Sequence, residues 1–300
     1  MEAAGIQHAS QAAGAARVAG RDAALAAVEP VEPVEPTLAD LAPANSLWPQ
    51  YLVRAVSVLA ALLLWQLASA SKLAFIVNFK NIPTPLVVGR KLVEVLATRT
   101  FYVHIAVSLE RIAISFALAT VVGVTVGVLM GRSRLAANII MPHIEIVRPI
   151  PAVAWIPLAI LIFPTEESSI MYITFLGAFF PIVLNTIHGV QQTPETLVRA
   201  AQCFGAGRLA ILRHVVLPGA LPSIIAGLAI GMGVAWFSLL SAEIISGQYG
   251  IGYFTWNSYT LVQCPEIIVG MLTIGALGTL STWLVRRLSR PALRWQEERE

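Results

Sequence analysis

The stretch LVRAAQCFGAGRLAILRHVVLP, residues 197–218, is a long amphipathic, basic segment set between apolar runs of membrane length. Just before it, Thr193 can cap a helix, Pro194 suits a first helical position, and Glu195 suits the positive helix end. Gly205 permits a backbone turn that other residues resist. Side chains then recur at helical spacing at Arg208, Leu209, Leu212, Arg213 and Val216. We therefore predict two short helices around a hinge at Gly205, the second ending at Pro218.

An exposed amphipathic loop of this kind implies a soluble partner that grips it from the aqueous side. The alternative is a loop that lies on the lipid surface. Composition places the rest of the chain in a bilayer, because 57% of its 300 residues are hydrophobic, 12% are charged and the mean hydropathy is +0.74. The pI near 9.1 does not indicate nucleic acid, since the basic residues flank apolar runs and form no aromatic-interleaved patch.

Six spans of about 20 residues fit the thickness of a hydrocarbon core. We place them near residues 51–70, 108–130, 139–163, 168–190, 219–245 and 266–286. Basic residues on one side predict the cytoplasm, namely Arg132 and Arg134, Arg199, Arg208 and Arg213, and Arg286, Arg287, Arg290, Arg294 and Arg299. The long loop after the first span opposes this orientation, but long, partly amphipathic loops obey the rule less well; its basic residues are Lys72, Lys80, Arg90, Lys91 and Arg99.

The first fifty residues are rich in alanine, glutamate and proline, with a Val-Glu-Pro repeat from Val28 to Pro36. Proline at every third position forbids a helix and favours an extended, solvated chain. We expect residues 1–50 to be a disordered cytoplasmic tail, either a spacer or a docking segment, and not a signal peptide. Residues 51–290 would form the membrane domain, with the loop at 194–218, and residues 291–300 a cytoplasmic tail.

Two features within the spans predict structure. Gly123, Gly127 and Gly131 form a smooth stripe on one helix face, for packing within the chain or against a second copy. The segment from Arg148 to Pro157 contains three prolines after Arg148 and should break the third span. Irregular backbone at membrane depth is tolerated where protein or a water-filled cavity surrounds it, so we expect a transport pathway element there. Arg148 could meet an anion or reach to the interface.

Glu243 is a costly charge near the end of the fifth span. It could line the cavity or pair with Arg111 or His188. The glycine-rich stretch from Gly247 to Gly252 lacks the Lys-Ser or Lys-Thr of a phosphate loop, and we interpret it as an outer turn or gate.

The 199–218 segment resembles the EAA motif of ABC importer permeases, with Arg199 in place of the family's acidic residue; the matching positions are Ala200, Ala201, Gly205, Val215, Leu217 and Pro218. Glu195, four residues earlier, could pair with Arg199. The resemblance extends from about Ile82 to Arg290, and over this range the sequence is similar to permeases for nitrate, bicarbonate, taurine and alkanesulfonates. It is carried by Ile82–Pro85, His104 with Ser108–Arg111, Arg148–Pro157, Gly177–Pro181 and Gly250–Tyr253.

This resemblance implies an all-α type I importer permease in the bacterial inner membrane, which works by alternating access as a dimer, most simply a homodimer. It implies two ABC ATPase subunits and an extracytoplasmic binding protein as partners, and a small oxyanion as substrate. The residues expected to couple to the ATPase are Arg199, Ala200, Ala201, Gly205, Arg208, Arg213, Leu217 and Pro218. Those expected along the pathway are Arg148, Pro151, Trp155, Pro157, Glu243 and Tyr253. Around Tyr253, Trp256 and Asn257 the sequence leans toward the nitrate and bicarbonate branch.

No cofactor is expected on this chain, since its sequence contains no Gly-x-x-x-x-Gly-Lys-Ser/Thr and ATP would bind to the partner. An ion-driven secondary transporter is the alternative, but it would need an ion relay and usually internal repeats. We expect no catalytic or metal site, because His143 and Glu145 are two residues apart and face different sides of a helix. Cys203 and Cys264 are expected on opposite sides of the membrane, which excludes a disulfide.

Overall fold

The computed structural model describes residues 47–71 and 81–293, and all regular secondary structure within those residues is helical. The chain divides into two units between Ala60 and Ala61. The α-helices are α1 Leu47–Ala70, α2 Pro85–Leu96, α3 Arg99–Arg132, α4 Arg134–Val147, α5 Ile156–Ile162, α6 Glu166–Gln191, α7 Glu195–Cys203, α8 Arg208–Ile211, α9 Leu217–Ser246, α10 Ile251–Thr260 and α11 Cys264–Ser289.

Five stretches of the described residues are long and apolar enough to cross a membrane, and a sixth crossing is obtained if the bent pair α4 and α5 counts as one. This agrees with the expected six spans. The second is longer than predicted, since α3 runs from Arg99 to Arg132. The third is not a straight helix over 139–163, because α4 and the following Ala152–Ile162 segment meet at 85°.

Helix α6 packs between α3 and α9 in the second unit. The glycine stripe of α3 makes this close approach possible. A Cβ on Gly127 would lie 2.5 Å from the Thr186 Cβ, and one on Gly131 would lie 2.5 Å from Val190 Cγ1. On the other side, a Cβ on Gly227 of α9 would lie 2.7 Å from the Asn185 Cβ. The stripe therefore packs within the chain, the first of the two roles considered for it.

Local sequence fixes where α6 and α4 begin. The Thr165 hydroxyl accepts a hydrogen bond from Ser168 N at 3.2 Å, and Glu166 and Glu167 occupy the positive first turn of α6. The Ser133 hydroxyl accepts from Ala136 N at 3.2 Å at the start of α4. These caps set the connections on either side of the broken span.

The terminal predictions fall largely outside the described residues. Residues 1–46 of the expected tail and 294–300 of the C-terminal tail lie outside them, as do Lys72 and Lys80. Within them, α1 begins at Leu47, inside the stretch assigned to the tail, and a short 3-10 helix covers Arg290–Leu293.

Candidate functional site

The expected hinge at Gly205 is a Schellman turn that ends α7. Gly205 has a φ of 78°, where a side chain is strained. Its N–H donates to the Gln202 carbonyl at 2.9 Å, and the Ala206 N–H donates to the Ala201 carbonyl at 3.0 Å. These are the two hydrogen bonds of the motif, which satisfy carbonyls that the helix end would leave free. The predicted turn at Gly205 is confirmed.

The expected start of this loop was wrong by one residue. Helix α7 begins at Glu195 with Pro194 at the capping position, and no side chain caps it. The Thr193 hydroxyl instead donates to the Gly189 carbonyl at 3.5 Å, so it serves the end of α6. The Glu195–Arg199 pair is present, with 2.5 Å between Oε2 and Nη2, and both side chains are largely exposed. An exposed pair of this kind adds little stability.

The second helix does not end at Pro218, which corrects that prediction. Helix α8 covers only Arg208–Ile211, a π-helical turn follows at Leu212–Val216, and α9 continues from Leu217. The Leu217 N–H donates to the Leu212 carbonyl, five residues earlier. Pro218 falls in the first turn of α9. A proline has no N–H, and its ring crowds the helical turn before it. The π turn before Pro218 is wider than an α-helical turn, so the helix can continue through the proline.

The loop has an exposed outer face and a packed inner face. Among the predicted coupling residues, those on the outer face are Arg199, Ala200, Gly205, Arg208 and Arg213, while Ala201, Leu217 and Pro218 are half-buried. Ile211 and Val216 are buried against Val190. Phe204 is 91% exposed and Leu209 77% exposed. Phe204 was not among the predicted coupling residues, although a phenylalanine next to a helix-ending glycine is a usable signal.

The broken span forms the wall of a cavity of about 550 Å³. After α4 ends at Val147, a 3-10 turn covers Ala152–Trp155 before α5 begins. Three of the predicted pathway residues, Arg148, Pro151 and Trp155, line this cavity together. Pro157 lies in the first turn of α5, and neither it, Glu243 nor Tyr253 is among the lining residues. The pathway role of all six residues stays a prediction.

The lining also includes Asn185 of α6, a polar residue that was not among the predicted pathway residues. Asn185 is an amide in a largely apolar span, which was the available signal, and its Nδ2 donates to the Pro181 carbonyl at 2.8 Å. Arg148 is exposed and has no carboxylate partner within residues 47–71 and 81–293. The Trp155 indole N–H is buried without an acceptor in the same part of the chain.

Of the partners considered for Glu243, the structure shows Arg111. Arg111 Nη1 lies 3.0 Å from Glu243 Oε1, and both side chains are buried. His188 is elsewhere, hydrogen-bonded to Gln192. Arg111 also forms a two-pronged pair with Glu167, whose side chain is 56% exposed. Sequence alone did not indicate Glu167, because it lies 56 residues from Arg111 along the chain.

The outer turn before α10 folds around the Glu243 carboxylate. Gly252 N donates to Glu243 Oε2 at 2.9 Å, and the Tyr249 carbonyl accepts from Arg111 Nη1 at 2.7 Å. The Gly250 N–H donates to His104 Nδ1 at 3.1 Å, so that ring nitrogen carries no proton. Ser108 bridges to the same turn, donating to Glu243 Oε1 at 2.7 Å and accepting from Ile251 N at 2.9 Å. The buried charges therefore anchor the turn.

Residues 119–293 match the family described as "Binding-protein-dependent transport system inner membrane component". The chain is 30% identical to the nitrate import permease protein NrtB of Synechocystis sp., over 77% of this chain and 86% of the relative. It is 33% identical to the taurine transport system permease protein TauC of Escherichia coli, over 72% and 81%, and 36% identical to the bicarbonate transport system permease protein CmpB of Synechococcus elongatus, over 62% and 68%.

The fold is similar to that of a chain in an inward-facing structure of the MetNI methionine ABC transporter, with a TM-score of 0.55, 21% identity, and coverage of 64% of this chain and 95% of that one. This likeness concerns the fold alone. The family match covers more than half of the chain and includes the loop, the broken span and Glu243. The chain therefore belongs to the binding-protein-dependent inner membrane components, the multi-pass permeases of ABC importers.

Proposed function

We propose that this chain is the permease subunit of an ATP-driven importer for a small oxyanion of the nitrate, bicarbonate, taurine or alkanesulfonate class. The observation that carries the substrate class is the cavity at the broken span, where Arg148 lies without a carboxylate partner among the described residues. A guanidinium can donate two parallel hydrogen bonds to a planar or tetrahedral oxyanion. Permeases named for nitrate, taurine and bicarbonate share the same family.

A second copy of the chain would complete the pathway. Apolar side chains line the cavity next to Arg148 and are exposed, with Ile150 at 40% and Ile230 at 53%. Another protein surface facing them would remove this apolar area from contact with a water-filled path. The simplest such surface is the same face of an identical subunit, related by twofold symmetry.

The 194–218 loop would transmit the work of ATP hydrolysis. Phe204 and Leu209 are exposed apolar anchors flanked by Arg199, Arg208 and Arg213, a combination suited to insertion into a groove of a soluble ATPase. The inner face of the loop packs on α6 and α9, so a displacement of the loop would move those helices. ATP and its magnesium would be held by the partner, and an extracytoplasmic binding protein would deliver the substrate.

The test is reconstitution of the purified permease with its ATPase and binding protein in liposomes, followed by uptake of labelled nitrate, bicarbonate and taurine. We expect ATP-dependent uptake of at least one of them, its loss in Arg148→Gln, and partial retention in Arg148→Lys. Arg286→Gln, at the end of α11 and away from the cavity lining, is the control for loss of one arginine. Uptake driven by an ion gradient without ATP would contradict the proposal.

A further inference from the structure

A second, polar pocket of about 570 Å³ lies where α3, α4, α6 and α7 end or begin. Three arginines line it, Arg132, Arg134 and Arg199, and among the described residues Glu195 is the one carboxylate of its lining. The amides of Gln191 and Gln202 add further hydrogen-bond donors to the wall. None of these positions belongs to the cavity at the broken span.

Among the residues that the structure describes, the charges of this pocket do not balance. Arg199 is paired with Glu195. Arg132 and Arg134 have neither an ion pair nor a side-chain hydrogen bond to any residue in 47–71 or 81–293. Two guanidinium groups at the wall of one pocket therefore have no anionic partner in the described part of the chain.

Helix electrostatics account for one of these two arginines and not for the other. Arg132 is in the last turn of α3, where a cation offsets the negative helix end. Arg134 is the first residue of α4, at its positive end, where a cation is unfavourable and an anion is favoured. An anion bound in the pocket would relieve that repulsion and pair with both arginines.

We propose that this pocket binds a phosphate-bearing anion, either free phosphate or the headgroup of an anionic phospholipid at the cytoplasmic surface. A phosphate group carries up to two negative charges and several acceptor oxygens, which arginine forks bind in pairs. Because Glu195, Val198, Arg199 and Gln202 of α7 form one wall, the bound anion ties α7 to the junction of α3 and α4. The bound anion would hold α7, the helix that we assign to ATPase coupling, in one position. This effect on coupling rests on the proposed function, whereas binding of the anion does not.

The test is hydrogen–deuterium exchange of the full-length permease in mild detergent, with inorganic phosphate compared with chloride at equal ionic strength. We expect phosphate to slow amide exchange in residues 195–203 by about tenfold, the scale of one charge-assisted hydrogen bond. A short-chain phosphatidylglycerol and a short-chain phosphatidylcholine identify the source. Protection by phosphatidylglycerol alone assigns a lipid headgroup, whereas protection by phosphate assigns a free anion.

Three variants localise the effect. Arg132→Gln/Arg134→Gln should lose the protection. Because that change also removes topology signals, Ala137→Glu is the second variant: it keeps all three arginines and adds a carboxylate at the wall. It should lose the protection too. Arg286→Gln/Arg287→Gln, in the last turn of α11, removes the same charge elsewhere and should keep it.

Equal protection by chloride, or equal loss in the α11 variant, would mean that diffuse positive charge acts and that no site exists. Protection that disappears once the ATPase is bound would assign the pocket to an acidic group of that partner and overturn the proposal. The binding measurement uses no transport, so its failure leaves the uptake result standing, and failed uptake leaves the pocket result standing.

Discussion

Arg111 Nη1 lies 3.0 Å from Glu243 Oε1 although the two residues are 132 positions apart in the chain, and neither side chain reaches solvent. Glu243 also accepts from Ser108 and Gly252, and Arg111 donates to the Tyr249 carbonyl. Burial of two charges is costly, and here the cost is offset by these hydrogen bonds and by the ion pair itself. The pair joins α3, α9 and the outer turn at one point.

Removal of one member should therefore destabilise the protein more than the net value of the pair suggests. We expect Arg111→Met to lower the free energy of unfolding by about 3 to 5 kcal/mol, because it leaves the buried Glu243 carboxylate without a cation. Glu243→Met should cost less, because Arg111 keeps its ion pair with Glu167. The double variant should lose less than the sum of the two. Glu167→Gln should lower the free energy of unfolding much less, because the Glu167 side chain is half-exposed. Unfolding in mixed detergent micelles measures all four, and additive losses would contradict the coupling.

Gly250 should resist substitution for two reasons at once. Its φ is 119°, and an added Cβ would collide with the Glu243 carboxylate. Gly250→Ala should therefore displace the turn and lower the melting temperature. Gly233→Ala in α9 is the matched control, since that glycine has open space around it and helical backbone. There the change should be neutral or stabilising, by about 1 kcal/mol at most. Equal effects at the two positions would refute this account.

The sequence predicted the elements whose cause is local. Length and apolarity predicted the spans, and the prolines between Arg148 and Pro157 predicted the break in the third one. Gly205 predicted the turn after α7. The continuation through Pro218 could not be predicted in this way, because it depends on a π turn five residues long that propensity does not encode.

Residues brought together from distant parts of the chain were the other gap. Glu167 binds Arg111 only because α6 packs against its neighbours. The same packing places Asn185 in the lining of one cavity with Arg148 and Trp155. From the sequence, Glu243 could line the cavity, pair with Arg111 or pair with His188. The structure shows the pair with Arg111 of α3. Tertiary contacts of this kind have no signature in local periodicity.

Helix packing at the glycine stripe gives a further prediction. Gly127→Ala would place a Cβ 2.5 Å from the Thr186 Cβ and 2.9 Å from the Val183 carbonyl, so α3 and α6 must separate. We expect a loss of about 1 to 3 kcal/mol, as for overpacked cores. Gly275→Ala, with nothing within 4 Å of the added Cβ, should have no such cost. The comparison is made by unfolding both variants in the same detergent.

Lys91 of α2 predicts a dependence on alkaline pH. Its Nζ lies 2.9 Å from Glu266 and 3.1 Å from Glu94, and the hydrogen bond to Glu266, followed by that to Glu94, raises the pKa of Lys91 above its ordinary value. A raised pKa means that the stabilisation is complete below the unfolded pKa and is lost as pH rises through the folded one. The melting-temperature difference between the wild type and Lys91→Met should therefore be constant near neutral pH and vanish at high pH. Lys91→Arg, which stays charged, should keep its difference from Lys91→Met.

The sharpest test of the loop is at Gly205. Gly205→Pro removes the N–H that donates to Gln202 and cannot adopt a φ of 78°, so the end of α7 must rearrange. Gly205→Ala keeps the N–H and should cost about 1 kcal/mol locally. Gly207, with ordinary φ and open space around it, provides the control Gly207→Ala.

Because this loop carries the proposed ATPase contact, we expect substrate-stimulated ATP hydrolysis to be lost in Gly205→Pro, reduced in Gly205→Ala and unchanged in Gly207→Ala. Membrane insertion should be equal in all three, since no span is altered. If Gly205→Pro hydrolyses ATP and transports normally, the geometry of this turn does not transmit the coupling, and the contact must lie elsewhere on the chain.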